Sequence, residues 1–193
     1  MKLALVDLGC ANLGSVRLAF ERLGAEAVPT TDPQAIASAD KVVIPGVGAA
    51  AYAMRRIRDL GLEETLKTLE QPVLAICLGM QLLFESSEEQ DTTCLGVIPA
   101  TVWRLEAGTD RPVPHMGWSS ICLVEEVHGL SNGDYFYFAH SYAAEDGPHT
   151  LARADYGEPI PAVVRARNYT GAQFHPERSG EAGARFLAGF LNQ

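Results

Sequence analysis

Apolar and polar positions follow two rhythms along this chain, and the change between them divides it. In the first half, short apolar runs alternate with segments whose apolar residues recur at helical spacing. KLALVDL (2–8) reads as a buried strand, followed by a turn, GCANLGS, rich in glycine and small polar residues. In SVRLAFERLG, Val16, Ala19, Phe20 and Leu23 share one helical face, with Ser15 as the expected N-cap and Gly24 as the stop. AEAVPT predicts a second strand, and DPQAIASAD a short helix opened by Asp32 before Pro33. KVVIP is a third strand running into the loop GVG, with helices expected over AYAMRRIRDLG and LEETLKTLE. PVLAIC is a fourth strand, and LGMQLLFESSEE predicts a helix directly after it.

From about residue 96 the rhythm shortens. GVIPATVWRL, SSICLVEEV, DYFYFAHSYAA, TLARADY, IPAVVRARN and TGAQFHPE are strand candidates separated by Gly, Pro, Asn or Asp, several of them paired antiparallel. GEAGARFLAGFLNQ closes the chain as a helix. Alternating strands and helices imply parallel βαβ units. The expected architecture is therefore one α/β domain over residues 1–193: a central mixed, mainly parallel sheet with helices on both faces and a β-rich flap.

Composition changes this picture little. The 193 residues are 47% hydrophobic and 20% charged, ordinary for a globular chain. The net charge of −9 argues against a nucleic-acid partner, because phosphates call for an excess of Lys and Arg. The N-terminal apolar run stops at Asp7, too short for a signal peptide, and no stretch approaches the ~18 apolar residues of a membrane span, so a cytoplasmic location is expected. Cys10, Cys77, Cys94 and Cys122 lack CxxC spacing, which points away from a metal site or disulfide framework.

Chemistry concentrates at the ends of strands, where ligands bind in an open α/β sheet. Cys77 follows PVLAI and precedes a helix. A free cysteine there is commonly just a small buried apolar residue. Alternatively it is a nucleophile on a strand-to-helix turn, with the helix N-terminus favouring thiolate, Gly79 permitting the sharp turn and the Leu78 N–H facing an oxyanion. Among the five histidines, His175 in QFHPE has a carboxylate two positions on, Glu177, which shares its face if the strand continues. Such a carboxylate sets the imidazole tautomer and stabilises the imidazolium. His128 and His149 read as surface or core residues. With both halves present, a Cys–His–Glu triad is the stronger reading.

CLGMQLL, QFHPE and the upstream PGVGA together resemble the class I (triad) glutamine amidotransferases, whose fold is the flavodoxin-like sheet expected above. NLGSV, PHMGW (114–118) and YFAHSY (137–142) narrow the resemblance to the glutaminase subunits of imidazole glycerol phosphate synthases. The resemblance spans Asp7 to about Ser179. It implies that Cys77 attacks the glutamine side-chain amide to form a glutamyl thioester, that His175 passes a proton to the departing ammonia, and that Glu177 orients His175. The Val47 N–H complements that of Leu78 as oxyanion donor, and the flanking Gly46 and Gly48 permit a peptide flip. Gln81, Glu89, His140, Ser141 and Tyr142 are implied to form the glutamine site, Glu89 receiving the α-ammonium. Asn12, Trp118 and Arg178 match positions facing a (β/α)8 cyclase subunit, which takes up the ammonia; Trp118 in its Gly-adjacent loop is also a plausible core residue. No cofactor is implied. Ala75, Ala50, Ser119 and Arg178 depart from the residues usual in the family, the last two near the implied interface. Two other readings stay open: the glutaminase of another ammonia-channelling complex, such as pyridoxal phosphate synthase, and a reactive-cysteine sensor without turnover.

Overall fold

The computed structural model describes residues 1–109 and 111–193. A nine-stranded sheet forms its centre: β1 (Leu3–Val6), β2 (Ala27–Thr30), β3 (Lys41–Gly46), β4 (Val73–Cys77), β8 (His115–Leu123), β9 (Tyr135–His140), β11 (Thr150–Asp155), β12 (Pro159–Ala166) and β13 (Tyr169–Ala172). Their spatial order is β2-β1-β3-β4-β13-β12-β11-β8-β9. Pairing is parallel from β2 through β13 and antiparallel from β13 through β9, so the sheet is mixed.

Strand alternation sends side chains into two cores. Leu3 and Leu5 of β1, Val43 of β3, and Leu74 and Ile76 of β4 face one; Ala4, Val6, Val42, Ile44, Val73 and Ala75 face the other. The first core is covered by α1 (Leu13–Arg22) and α6 (Gly180–Leu191), which bury Val16, Phe20, Phe186 and Phe190. The second is covered by α2 (Pro33–Ala37), α3 (Ala50–Asp59) and α4 (Glu63–Lys67) through Ile36, Met54, Ile57 and Leu66. Helices on both faces are thus the direct result of central strands apolar at successive positions. The N-cap of α1 is Asn12, whose side chain accepts from the Ser15 N–H; Ser15 itself lies within the first turn.

The flap is a second sheet, ordered β10-β7-β5-β6, of β5 (Phe84–Ser87), β6 (Thr92–Thr93), β7 (Ile98–Arg104) and β10 (Tyr142–Ala144). Part of it occupies sequence expected to be helical: α5 spans only Leu78–Gln81, and β5 follows. Leu82, Leu83 and Phe84 are consecutive and all fully buried, which one helical stripe cannot achieve, while Ser86 bonds across to Thr101 of β7. The segment DYFYFAHSYAA divides at Ser141, β9 staying in the large sheet and β10 entering the flap. Trp118 lies within β8, not in a loop. Among the described residues no helix is long and apolar enough to cross a membrane.

Candidate active site

Because β1, β3, β4 and β13 run parallel, the segments leaving them converge at one edge of the sheet. There a cavity of about 340 Å³ opens, within the range of small-molecule sites. Of the residues expected in the triad, the oxyanion and glutamine sites and the partner face, all line it except Gly46 and Trp118: Cys77, Leu78, His175, Glu177, Val47, Gly48, Gln81, Glu89, His140, Ser141, Tyr142, Asn12 and Arg178. Gly46 lies beneath the cavity floor, where a Cβ would sit 3.0 Å from the Gly79 nitrogen and from the Leu78 Cβ.

Cys77 ends β4 with φ 54° and ψ −111°, a conformation costly for a residue with a side chain and sustained only where its surroundings over-determine it. Those surroundings are the ladder to β3, which pairs Gly46 with Cys77, and the close seat of Gly79 on β3. The turn exposes one side of the sulfur to the cavity and starts α5, whose first N–H, that of Leu78, has no intrahelical acceptor.

His175 reaches Cys77 from the segment after β13. Its backbone N–H donates to Tyr137 O (2.9 Å), and the Ser179 hydroxyl ties its carbonyl. Glu177 shares its face for a different reason than strand alternation: β13 ends at Ala172, and a 3₁₀ turn, Pro176–Arg178, folds the carboxylate back onto the imidazole. Nδ1 of His175 meets Glu177 Oε1 at 2.8 Å, leaving Nε2 for the sulfur. Burial alone pulls the His175 pKa down, but hydrogen bonds and charge from Cys77 and Glu177 outweigh it and raise the value to about 10. The imidazolium form is therefore favoured once the proton has passed from the thiol. The other carboxylate oxygen, Oε2, is buried without a partner.

Val47 departs from its expected role. Its N–H donates to Cys10 O at 2.7 Å and so is turned away from the sulfur. Presenting it to an oxyanion requires the Gly46–Val47 peptide to rotate, and glycine at 46 tolerates the change in ψ on its side. Glu89 does more than line the cavity: its Oε2 accepts from the Ala50 N–H (2.7 Å), capping α3 directly after this loop. Arg178 places its guanidinium 4.4 Å from the Tyr137 ring centroid, and Trp118, 54% exposed, meets the same ring edge-on. That exposure removes Trp118 from the core.

Two buried groups escaped the sequence reading. Gln173 is fully buried, and its Nε2 lies 3.9 Å from Cys77 Sγ. His115 is buried between Phe138 and Tyr156 and hydrogen-bonds His140. The signal available was a polar residue inside a run that is otherwise apolar. Tautomers follow from one acceptor-only group: Tyr142 O takes the His140 Nδ1 proton (2.8 Å). Nε2 of His140 then accepts from His115 Nδ1 (3.1 Å), and His115 Nε2 accepts from the Ser119 hydroxyl (2.9 Å).

Burial holds His115 at about 4 and His140 at about 3, so both are neutral at pH 7. Lowered folded-state values mean that their contribution to stability is complete above the unfolded value of ~6.5 and is lost as pH falls through the folded values. Unfolding between pH 6 and 5 is thus expected to take up close to two protons at these sites, and His115→Phe to remove about one of them. Denaturation free energies measured across that window check this; an unchanged slope in the variant contradicts it.

The comparisons agree with the chemistry. The family model for glutamine amidotransferase class-I matches residues 4–193. The chain is 47% identical to the imidazole glycerol phosphate synthase subunit HisH of Vibrio cholerae, covering 97% of this chain and 96% of that one. It is 48% identical to HisH of Yersinia pseudotuberculosis, covering 99% of each. Its fold matches a crystal structure of a glutamine amidotransferase with TM-score 0.78 at 19% identity, covering 100% of this chain and 98% of the other. With its cysteine elbow and imidazole–carboxylate pair, the chain belongs to the class-I glutamine amidotransferases.

Proposed function

We propose that this chain, as a single amidotransferase domain, is the cytoplasmic glutaminase subunit of an imidazole glycerol phosphate synthase, delivering ammonia to a (β/α)8 cyclase subunit. The observation that carries the chemistry is Cys77 at its strained elbow, facing His175 held by Glu177 at 2.8 Å, at the floor of one cavity. The similarity to HisH subunits over nearly the whole chain supports the choice of synthase.

In this reading the Cys77 thiol passes its proton to His175 as sulfur attacks the carboxamide carbon of glutamine. The tetrahedral oxyanion is met by the Leu78 N–H, and by that of Val47 once its peptide turns from Cys10. Collapse expels ammonia with the proton held by His175, and water, activated by the same imidazole, hydrolyses the thioester to glutamate. Glu89 takes the substrate ammonium while capping α3, a contact that links an occupied site to the neighbouring oxyanion loop.

The cyclase side rests on the outer face of the β8–β9 hairpin. Trp118 is paired with Tyr137 and Met116 with Ala139, and Met116 is 66% exposed beside the cavity mouth. An exposed Trp with a neighbouring arginine suits an interface anchor. The test is glutamate release by the chain alone and with a cyclase subunit holding its ribonucleotide ligand. Low activity alone and strong stimulation by the liganded partner are expected, since the resting Val47 N–H is engaged elsewhere. Trp118→Ala is expected to weaken partner affinity by ~30-fold or more, as a hot-spot truncation does. Absence of stimulation points to another acceptor, and unchanged affinity in the variant removes Trp118 from the interface.

A further inference from the structure

We propose that Gln173 is a further catalytic residue: its side-chain amide, oriented by Gln81 and the Tyr142 carbonyl, donates to Cys77 Sγ and stabilises the thiolate. This rests on the reading of Cys77 as nucleophile and deepens it.

The placement follows from sheet register. β13 and β4 run parallel with Ala172 opposite Ile76, so the next residues, Gln173 and Cys77, leave the sheet side by side. The Gln173 backbone N–H stays bonded to Ala162 O of β12 (2.9 Å), keeping the side chain under the elbow. An amide at zero exposure needs a partner for each polar atom, and an apolar residue would fill the same space without that requirement. Every polar atom of Gln173 has its partner, since Glu177 Oε2 is the only buried side-chain atom lacking one among the described residues.

The direction of the amide is determined by a chain of hydrogen bonds. The Tyr142 carbonyl can only accept, and Gln81 Nε2 lies 2.8 Å from it. The NH₂ group of Gln81 therefore faces that carbonyl, and it also meets Gln173 Oε1 at 3.0 Å. With Oε1 committed as acceptor, Gln173 must turn its own NH₂ group toward Cys77 Sγ, 3.9 Å away. The Tyr142 carbonyl is itself held by His140 Nδ1 at 2.8 Å. Reversing Gln81 would set oxygen against oxygen at both of its contacts, and reversing Gln173 would set one NH₂ group against the other.

The sulfur thus has two kinds of neighbour. As a thiol it donates to Ala139 O (3.9 Å). Once its proton moves to His175, only donors serve it, and the Gln173 amide is a buried, pre-oriented one. A hydrogen bond to the charged form strengthens as the charge develops and favours ionisation. Gln81, reached from sequence as a glutamine contact, acts here also as the positioning residue for Gln173.

The experiment is the pH dependence of Cys77 alkylation by iodoacetamide in the full chain, followed on the Cys77 peptide by mass spectrometry, together with kcat and KM for glutamine. In Gln173→Met the alkylation midpoint is expected to rise by about one pH unit and kcat to fall ~10-fold with KM little changed. Gln173→Glu keeps the shape but sets a carboxylate against the thiolate, so its midpoint rises further. Folded variants with the wild-type midpoint and kcat overturn the proposal. If neither variant folds, the side-chain amide signal of Gln173 in the ¹H–¹⁵N spectrum of the wild-type chain decides: it is expected to titrate with Cys77 and not in Cys77→Ser, and an amide indifferent to Cys77 ionisation overturns the proposal. A wild-type Cys77 midpoint near that of a free thiol, with turnover surviving Cys77→Ala, would instead remove Cys77 as nucleophile, a result distinct from failure of the Gln173 assignment.

Discussion

Cys77→Ala is expected to lower glutamine-dependent synthesis by the assembled complex by ~10⁴-fold or more, the scale of removing a nucleophile, and to leave synthesis from added ammonium intact. The two arms report different things. In the proposed mechanism glutamine turnover needs the thioester, and Cys10 is poorly placed to supply one: it is raised in pKa by burial and by Asp7, and its carbonyl, not its thiol, is engaged with the Val47 N–H. Synthesis from ammonium bypasses the sulfur and needs only a folded subunit seated on its partner. Alanine keeps the Cβ, so the ladder to β3 and β13 stays intact and the exposed Trp118 is undisturbed. Loss of both activities would mean that Cys77 supports assembly or folding instead of attack. Survival of the glutamine-dependent activity would place the nucleophile elsewhere.

How much of this was legible in the chain depends on what kind of information each feature carries. The meeting of the three side chains of the proposed triad was legible because they are attached to recognisable local signals: an apolar run ending in Cys77, a glycine two residues on, and His175 and Glu177 in one short motif. Even so, the reason His175 and Glu177 meet was misread, since a 3₁₀ turn and not a continued strand folds the carboxylate back. The helix expected over LGMQLLFESSEE failed because tertiary burial of Leu82, Leu83 and Phe84 in succession overrides local helical periodicity. The Val47 N–H could not be placed from sequence: which way a peptide plane points between two glycines is encoded in no side chain, and only the Cys10 carbonyl reveals it. The roles of Gln173 and His115 were hidden likewise, because each follows from a direction propagated along several hydrogen bonds from the Tyr142 carbonyl.

The elbow depends on absent atoms as much as on present ones, and Gly79→Ala is where that is most severe. A Cβ on residue 79 would stand 1.9 Å from Ile44 O and 3.0 Å from Ile44 C, both backbone atoms of β3. Neither can rotate away as a side chain might, so α5 or the end of β3 must shift by more than an ångström. That end of β3 is bonded in register to Cys77 and leads straight into the loop that carries Val47. Overpacking of this kind costs about 1–3 kcal/mol or more, which for a chain of this size lowers the melting temperature by roughly 3–10 °C. A displacement near 1 Å at the reacting sulfur reduces turnover by ~100-fold. Gly14→Ala is the matched contrast: within α1, with φ not positive and its nearest neighbour, Asn12 Oδ1, 3.9 Å away, it is expected to leave stability unchanged or slightly improved. Thermal denaturation of both variants and glutamate release by Gly79→Ala provide the check. A Gly79→Ala chain that melts with the wild type and turns over glutamine normally would mean that the elbow is not held by the seat of α5 on β3, and the strain at Cys77 would need another support.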